Sequence, residues 1–414
     1  MRPDYGWSSL LFWFSRAAIL FVAAGLRVAA GGEFHLSVAS PTLDRWFYPF
    51  NFSFPPDDRP VAPTFASFDP RFDTRDAQFL LGWDTAALVP AHAAPKNYLV
   101  RRARVTVVAT TDRQFIYDPT FDSYLTYATN QPGYVVDGDP GRPIELYGAG
   151  FRNGFTAASF KGDSYYGPLN PISSGNISIG TRSAYAAMID TNGVLIDVSN
   201  NVGQANAAWT QAPFEVTPWA IGQTTNAVPG EYVPADSVFT FDVDFRDPWV
   251  VAYWQSALSE GQLRLVISSL SPAVQVTPGG TANGGSGSYP TWSTRRNLVY
   301  DVPLLELDGV FISDEDTDHD GLPDDWERFY FGDLHVSGAD DTDGDGMSNA
   351  AEYRAGTNPI DASSRLAILR SSFDSNGSAL LEFSFAPSRN YRVESSVDLV
   401  SWSTAHGVFR YPAP

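Results

Sequence analysis

Residues 237–270 read SVFTFDVDFRDPWVVAYWQSALSEGQLRLVISSL, and the change of period inside this stretch decides the class of the main domain. In SVFTFDVDF (237–245), Phe239, Phe241, Val243 and Phe245 recur at every second position. That spacing puts them on one face of a strand and leaves Asp242 and Asp244 on the other. In DPWVVAYWQSALSEG (247–261), Trp249, Val250, Tyr253, Trp254, Ala257 and Leu258 share a helical face, and Gly261 stops the helix. QLRLVISSL (262–270) reads as strand again. A strand, a single helix and a second strand predict a helix that plugs one end of a β-sandwich.

Working outward, YLVRRARVTVVAT (98–110), GVLIDVS (193–199) and NLVYDVPLLEL (297–307) are further strand candidates. Turn-rich stretches separate them, among them TPGGTANGGSGSYP (277–290), read as a flexible loop. Many short strands with few helical periods give a mainly β protein whose large β-sandwich, jelly-roll-like, spans 31–310. RWFYPFNFSF (45–54) puts Trp46, Tyr48, Phe50, Phe52 and Phe54 on one face. Such a stripe could stack sugar rings, but a buried core face is the simpler account. The order of the 237–245 strand, a Trp-bearing helix and the 262–270 strand resembles bacterial jelly-roll modules of the carbohydrate-binding type. The likeness covers Ser237 to Leu270 and carries no functional residue over.

The chain has 414 residues, 43% hydrophobic and 18% charged, enough for one large core and a second domain. Its net charge of −20 argues against nucleic acid or an anionic membrane as partner, since both need a basic footprint. Fifteen of the 47 acids fall between Asp314 and Asp361, against Arg328 and Arg354 alone, so the rest of the chain is only mildly acidic. There is no cysteine, which removes thiol nucleophiles, thiolate metal sites and disulfides. Residues 1–30 put Arg2 ahead of an apolar run from Leu10 to Leu26 and end in Val28-Ala29-Ala30. This is the layout of a secretory signal peptide cleaved after Ala30. An uncleaved anchor is the alternative, but Arg16 and Arg27 would then lie within a span that needs about 20 apolar residues. The mature protein is expected to be secreted or held at the cell surface, with no membrane contact after cleavage.

The acidic span holds two copies of one spacing. Calcium takes six to eight oxygens, and a 12-residue loop wraps it with side chains at positions 1, 3, 5, 9 and 12, a carbonyl at 7 and glycine at 6. DTDHDGLPDDWE (316–327) fills these with Asp316, Asp318, Asp320, Gly321, the Leu322 carbonyl, Asp324 and Glu327. DTDGDGMSNAAE (341–352) repeats them with Asp341, Asp343, Asp345, Gly346, the Met347 carbonyl, Asn349 and Glu352. A solvated acidic turn explains abundant aspartate but not the repeated register, so Ca2+ is the expected cofactor. Only exiting helices are credible, DDWERFYFG (324–332) and NAAEYRAG (349–356); LLELDGVFISDE ahead of Asp316 is strand-like. Position 8, apolar in paired EF-hands, is Pro323 in one loop and Ser348 in the other. The span from Asp314 to about Ser364 therefore resembles thrombospondin type-3 or dockerin-like calcium repeats, common in exported bacterial proteins. That resemblance implies a structural ion rather than a sensor, which would need a helix pair that opens.

Catalytic readings are weaker. Asp242 and Asp244 lie roughly 6.6 Å apart along a strand, a spacing two glycosidase carboxyls could use, but no apolar pocket accompanies them. KGDSYYG (161–167) resembles the nucleophile motif of GDS-type esterases, yet lies mid-chain, and neither His335 nor His406 has an Asp three positions before it. His35, His92, His319, His335 and His406 are scattered, with no zinc motif. The tail, LAILRSSF, LLEFSFAP and YRVESSVDLVSW, predicts three strands of a small β module over 365–414, packed on the calcium repeats at 311–364. YRVESSVDLVSW is similar to C-terminal β modules that follow calcium repeats in exported bacterial proteins. The expected function is non-catalytic extracellular binding or adhesion, a glycan being one candidate ligand, with calcium stiffening the connector. The alternative is a polysaccharide-degrading enzyme with its site in the sandwich.

Overall fold

The structure is a computed structural model describing residues 32–49, 58–67, 72–127, 132–168, 180–190, 193–205, 210–275, 287–373, 375, 379–386, 389–398 and 400–410. The signal segment, Phe50, Phe52, Phe54, Asp374 and Asn376 to Ser378 in the tail's turn, and residues 277–286 lie outside the described residues. No helix among the described residues is long and apolar enough to cross a membrane.

Two antiparallel sheets face each other. The first runs in the order Gly32–Ala39, Leu304–Phe311, Tyr98–Ala109, Thr291–Ser293 and Val61–Pro63, and Ser237–Asp242 also pairs with the 98–109 strand. The second runs Leu43–Phe47, Gln78–Asp84, Gln262–Ser269, Ile144–Phe151, Ala184–Ile189 and Leu195–Asp197, with Ala220–Ile221 paired to the 144–151 strand. The strands at 32–39, 78–84, 98–109, 144–151, 237–242, 262–269 and 304–311 alternate between the sheets, and the 184–189 strand interrupts this by staying beside 144–151 in the second sheet. The strand at 304–311 pairs with the one at 32–39, which brings the two ends of the sandwich together in the first sheet.

Alternation builds the core. Phe239 and Phe241, both fully buried, meet Phe79, Leu81, Leu265 and Ile267 from the facing sheet, while Arg104 takes Asp242 on the solvent side. Helix α1 (Pro248–Glu260), which the sequence predicts, links a strand of the first sheet to one of the second and packs its apolar side chains in this core. Asp247 caps it by accepting from the Trp249 N–H at 2.8 Å, and Gly261 ends it at φ 71°, a left-handed conformation that suits glycine. Buried Trp254 and Leu258 enter the core, and the Tyr253 hydroxyl donates to the Arg264 carbonyl at 2.6 Å, tying helix to strand.

Three strands without a readable alternation share one reason. The second sheet is covered on both faces: beyond the inter-sheet core, Phe47, Leu80, Tyr147, Ala149, Phe160, Tyr166, Val216 and Val266 form a second apolar layer. Strands 78–84, 144–151 and 184–189 are therefore buried on both sides, and a double-faced strand shows no alternation to read. RWFYPFNFSF is corrected too. The strand ends at Phe47, which is the fully buried ring, while Trp46 and Tyr48 are half-buried and stacked at 4.8 Å. The strand expected at 297–307 begins at Leu304 and continues to Phe311; Leu298 lies in solvent. The expected 193–199 strand contracts to Leu195–Asp197.

At Gly309 the 304–311 strand shifts register against the 98–109 strand. A Cβ there would lie 2.4 Å from the Leu99 carbonyl oxygen and 2.5 Å from the Phe34 ring. Gly309→Ala is expected to destabilise the sandwich by about 1–3 kcal/mol, read as a lower denaturant midpoint with an unchanged m-value.

The tail is a pair of two-stranded sheets, not three strands. Ile368–Phe373 pairs with Ala379–Phe383, and Asn390–Ser395 with Ser403–Arg410. YRVESSVDLVSW turns over on itself at 396–402, where Asp398 accepts from the Val400 and Ser401 N–H groups at 2.9 and 2.7 Å.

Candidate metal centre

The two acidic loops share most of their contacts and differ at one, since the first aspartate accepts from the fifth residue in one loop and from the fourth in the other. In the first, Asp316 accepts from the Asp320 and Gly321 N–H groups at 3.3 and 3.1 Å. In the second, Asp341 accepts from Gly344 and Gly346, both at 2.9 Å. The fifth-position carboxylates, Asp320 and Asp345, accept from the Leu322 and Met347 N–H groups at 2.9 and 2.7 Å. The ninth residues donate their backbone N–H to the residue just before each loop, Asp324 to Glu315 at 2.8 Å and Asn349 to Asp340 at 2.7 Å. Gly321 and Gly346 have φ of 94° and 97°, with nothing within 4 Å of where a Cβ would stand. Conformation, not space, calls for glycine there.

The folded loops bring the acids together. Carboxylate oxygens of Asp316, Asp318 and Asp320 lie within 4.8 Å of one another, and so do those of Asp341, Asp343 and Asp345. Beneath them, helices α2 (Asp324–Tyr330) and α3 (Asn349–Ala355) carry Glu327 and Glu352 at positions of zero exposure. Both oxygens of Glu327, and one each of Glu352, Asp343 and Asp345, are buried without a hydrogen-bond partner. A buried carboxylate left unpaired is costly, and burial, with the surrounding aspartates, pushes Glu327 and Glu352 up to about 7. A hard cation supplies the missing partner to oxygens of this kind, so the residues present fit calcium.

The ninth-position side chains are engaged within the loops. Asp324 accepts from the Thr317 N–H at 2.7 Å, from the Thr317 hydroxyl and from Arg328 at 3.0 Å. Asn349 accepts from the Thr342 N–H at 3.4 Å and donates to the Ser337 carbonyl at 3.0 Å. Each locks the second residue of its loop, a role spacing alone does not display. Leu322 buries its side chain in one cluster with Ile312 and Trp326, and the Met347 sulfur accepts from the Leu366 N–H at 3.3 Å.

The loops form one unit, and that unit is anchored. The Gly338 N–H donates to Asp320, and a Cβ at Gly338 would lie 2.7 Å from the Asp320 carbonyl oxygen, so glycine lets the linker pass against the first loop. Trp326 meets Tyr353 edge-on at 5.6 Å, joining α2 to α3. Against the sandwich, Asn97 and Ile312 exchange hydrogen bonds, and Arg101 lies 4.7 Å over the Phe329 ring. The tail docks through Arg389 to the Tyr353 carbonyl at 2.8 Å and Tyr391 to the Ala355 carbonyl at 2.7 Å, while Phe385 meets Trp249 of α1. Asp325, outside the ligand register, accepts from the Ser313 N–H and hydroxyl at 3.1 and 2.7 Å. Asp325→Ala is expected to loosen this junction by about 1–3 kcal/mol and leave calcium stoichiometry in calorimetry unchanged.

The weighed catalytic residues stand elsewhere. Asp242 makes a two-pronged pair with Arg104, both contacts at 2.7 Å, and Asp244 pairs with Arg246; both carboxyls are held below the usual range by these guanidinium hydrogen bonds. The Ser164 hydroxyl lies in a turn, accepting from the Lys161 N–H at 2.8 Å. A third acid cluster, Asp118, Asp122 and Asp139, escaped the sequence reading. Its members come from two turns with no common loop register, so only the folded chain assembles it.

Residues 341–362, the second loop with its helix and following turn, match the bacterial TSP3 repeat, a calcium-binding repeat. No curated protein and no solved structure matches the chain.

Proposed function

We propose that this is an exported, non-catalytic binding or adhesion protein, whose jelly-roll-like sandwich takes an extracellular ligand and whose two acidic loops are braced by calcium. The carrying observation is the pair of loops in one register, each with converging aspartates above a buried glutamate that has at least one carboxylate oxygen without a partner. The TSP3 match at the second loop supports calcium there and an extracellular setting; the first loop, with the same register and most of the same contacts, is assigned calcium on that ground. When bound, the ion supplies positive charge that holds the carboxylates together. The chain's own residues do the rest: Gly321 and Gly346 turn the loops, Asp324 and Asn349 lock them, and Trp326 and Tyr353 weld the two units.

Against catalysis at Asp242 and Asp244 stands their pairing. A general acid needs a raised pKa, and both are held down by arginines. A glycan is one candidate ligand class, and the full chain on a glycan array tests it. Saturable binding without product release supports the reading; hydrolysis of a bound polysaccharide would replace it with the enzyme.

A further inference from the structure

We propose that the sandwich carries a cation site of its own, formed by Asp118, Asp122 and Asp139 in the connection between the 98–109 and 144–151 strands, and that it takes calcium. One carboxylate oxygen from each residue lies within 4.8 Å of the others. Asp118 is 3% exposed, and its Oδ2 is buried with no hydrogen-bond partner. Its Oδ1 is satisfied by the Thr120 N–H at 2.8 Å and the Thr120 hydroxyl at 2.7 Å, so the unpaired oxygen belongs to a carboxylate whose orientation is fixed.

Charge points the same way. Asp122, 5% exposed, accepts from Arg142 at 2.7 Å, and Arg142 also reaches Asp137 at 2.6 Å. Of the four acids Asp118, Asp122, Asp137 and Asp139, the Arg142 guanidinium pairs with two, Asp122 and Asp137. It satisfies Asp122 and Asp137 and leaves Asp118 and Asp139 facing each other across Thr120, whose hydroxyl is 3.0 Å from Asp139. A Cβ on Gly141 would lie 2.9 Å from that of Asp118, so a glycine there, at φ 114°, lets the turn bearing Asp139 close over Asp118. The donors are all oxygen, without imidazole, and the chain has no thiol, which selects a hard cation over zinc or copper.

Equilibrium dialysis of the full chain against calcium at neutral pH, counting ions per chain, tests this. Asp139→Asn changes an exposed side chain and keeps the fold, checked by circular dichroism; it is expected to lower the count by one, as is Asp118→Asn. Glu327→Gln is expected to remove a different ion, the double variant Asp139→Asn with Glu327→Gln to remove two, and Glu231→Gln, a nearby acid outside the cluster, to remove none. An unchanged count in Asp139→Asn beside a reduced one in Glu327→Gln overturns this site and leaves the repeat reading standing. A reduced count in Asp139→Asn beside an unchanged one in Glu327→Gln supports this site and overturns the first loop.

Discussion

Adding chelator to the full chain is expected to lower the melting temperature of the calcium module and its docked tail, and excess calcium to restore it. A ligand held at a hundredfold over its Kd stabilises by about 2.7 kcal/mol per site, so two repeat sites contribute about 5 kcal/mol when both bind the folded form alone. The effect has a definite pH signature. Without calcium, burial and the neighbouring aspartates push Glu327 and Glu352 up to about 7 from 4.5. A carboxyl raised in the folded state makes the native chain hold more protons than the unfolded one between those values. Stability in chelator is therefore fully present below about 4.5 and lost as pH rises through about 7. In calcium the direction reverses, because the ligands must shed their protons to bind. Melting curves across this pH range, with and without chelator, check both signs; an unchanged melt on chelation would sink the calcium assignment.

Replacing Glu327 and Glu352 by Gln is expected to change sign with calcium. Outer-shell partners of metal ligands are worth about 10–100-fold in affinity, so losing a ligand carboxylate should cost at least the upper figure, about 2.7 kcal/mol per site. In chelator above pH 7 the same variants should melt higher than the parent, because an amide does not bring a charge into a fully buried position surrounded by aspartates. A merely structural role for these glutamates would lower the melt under both conditions. Asp325→Ala separates the two behaviours, since Asp325 holds Ser313 rather than facing the acid cluster.

The loops were legible because a calcium loop is local. Twelve consecutive residues supply the oxygens and the turn, so the register of Asp316, Asp318, Asp320 and Glu327 is written into spacing. What spacing could not show is that Glu327 and Glu352 are fully buried, or that Asp324 and Asn349 spend their side chains on Thr317 and Thr342.

By itself the sequence determined the mainly β class, helix α1 with its glycine stop, and the paired acidic loops. Each rests on contacts within one stretch of chain, where period and spacing act directly. Tertiary structure alone decided the double-faced second sheet, the turn-over of the tail and the meeting of Asp118 with Asp139. Those depend on what packs over a segment from far along the chain: the second apolar layer removes the alternation from residues 144–151, and the close approach at Gly141 carries one aspartate to another.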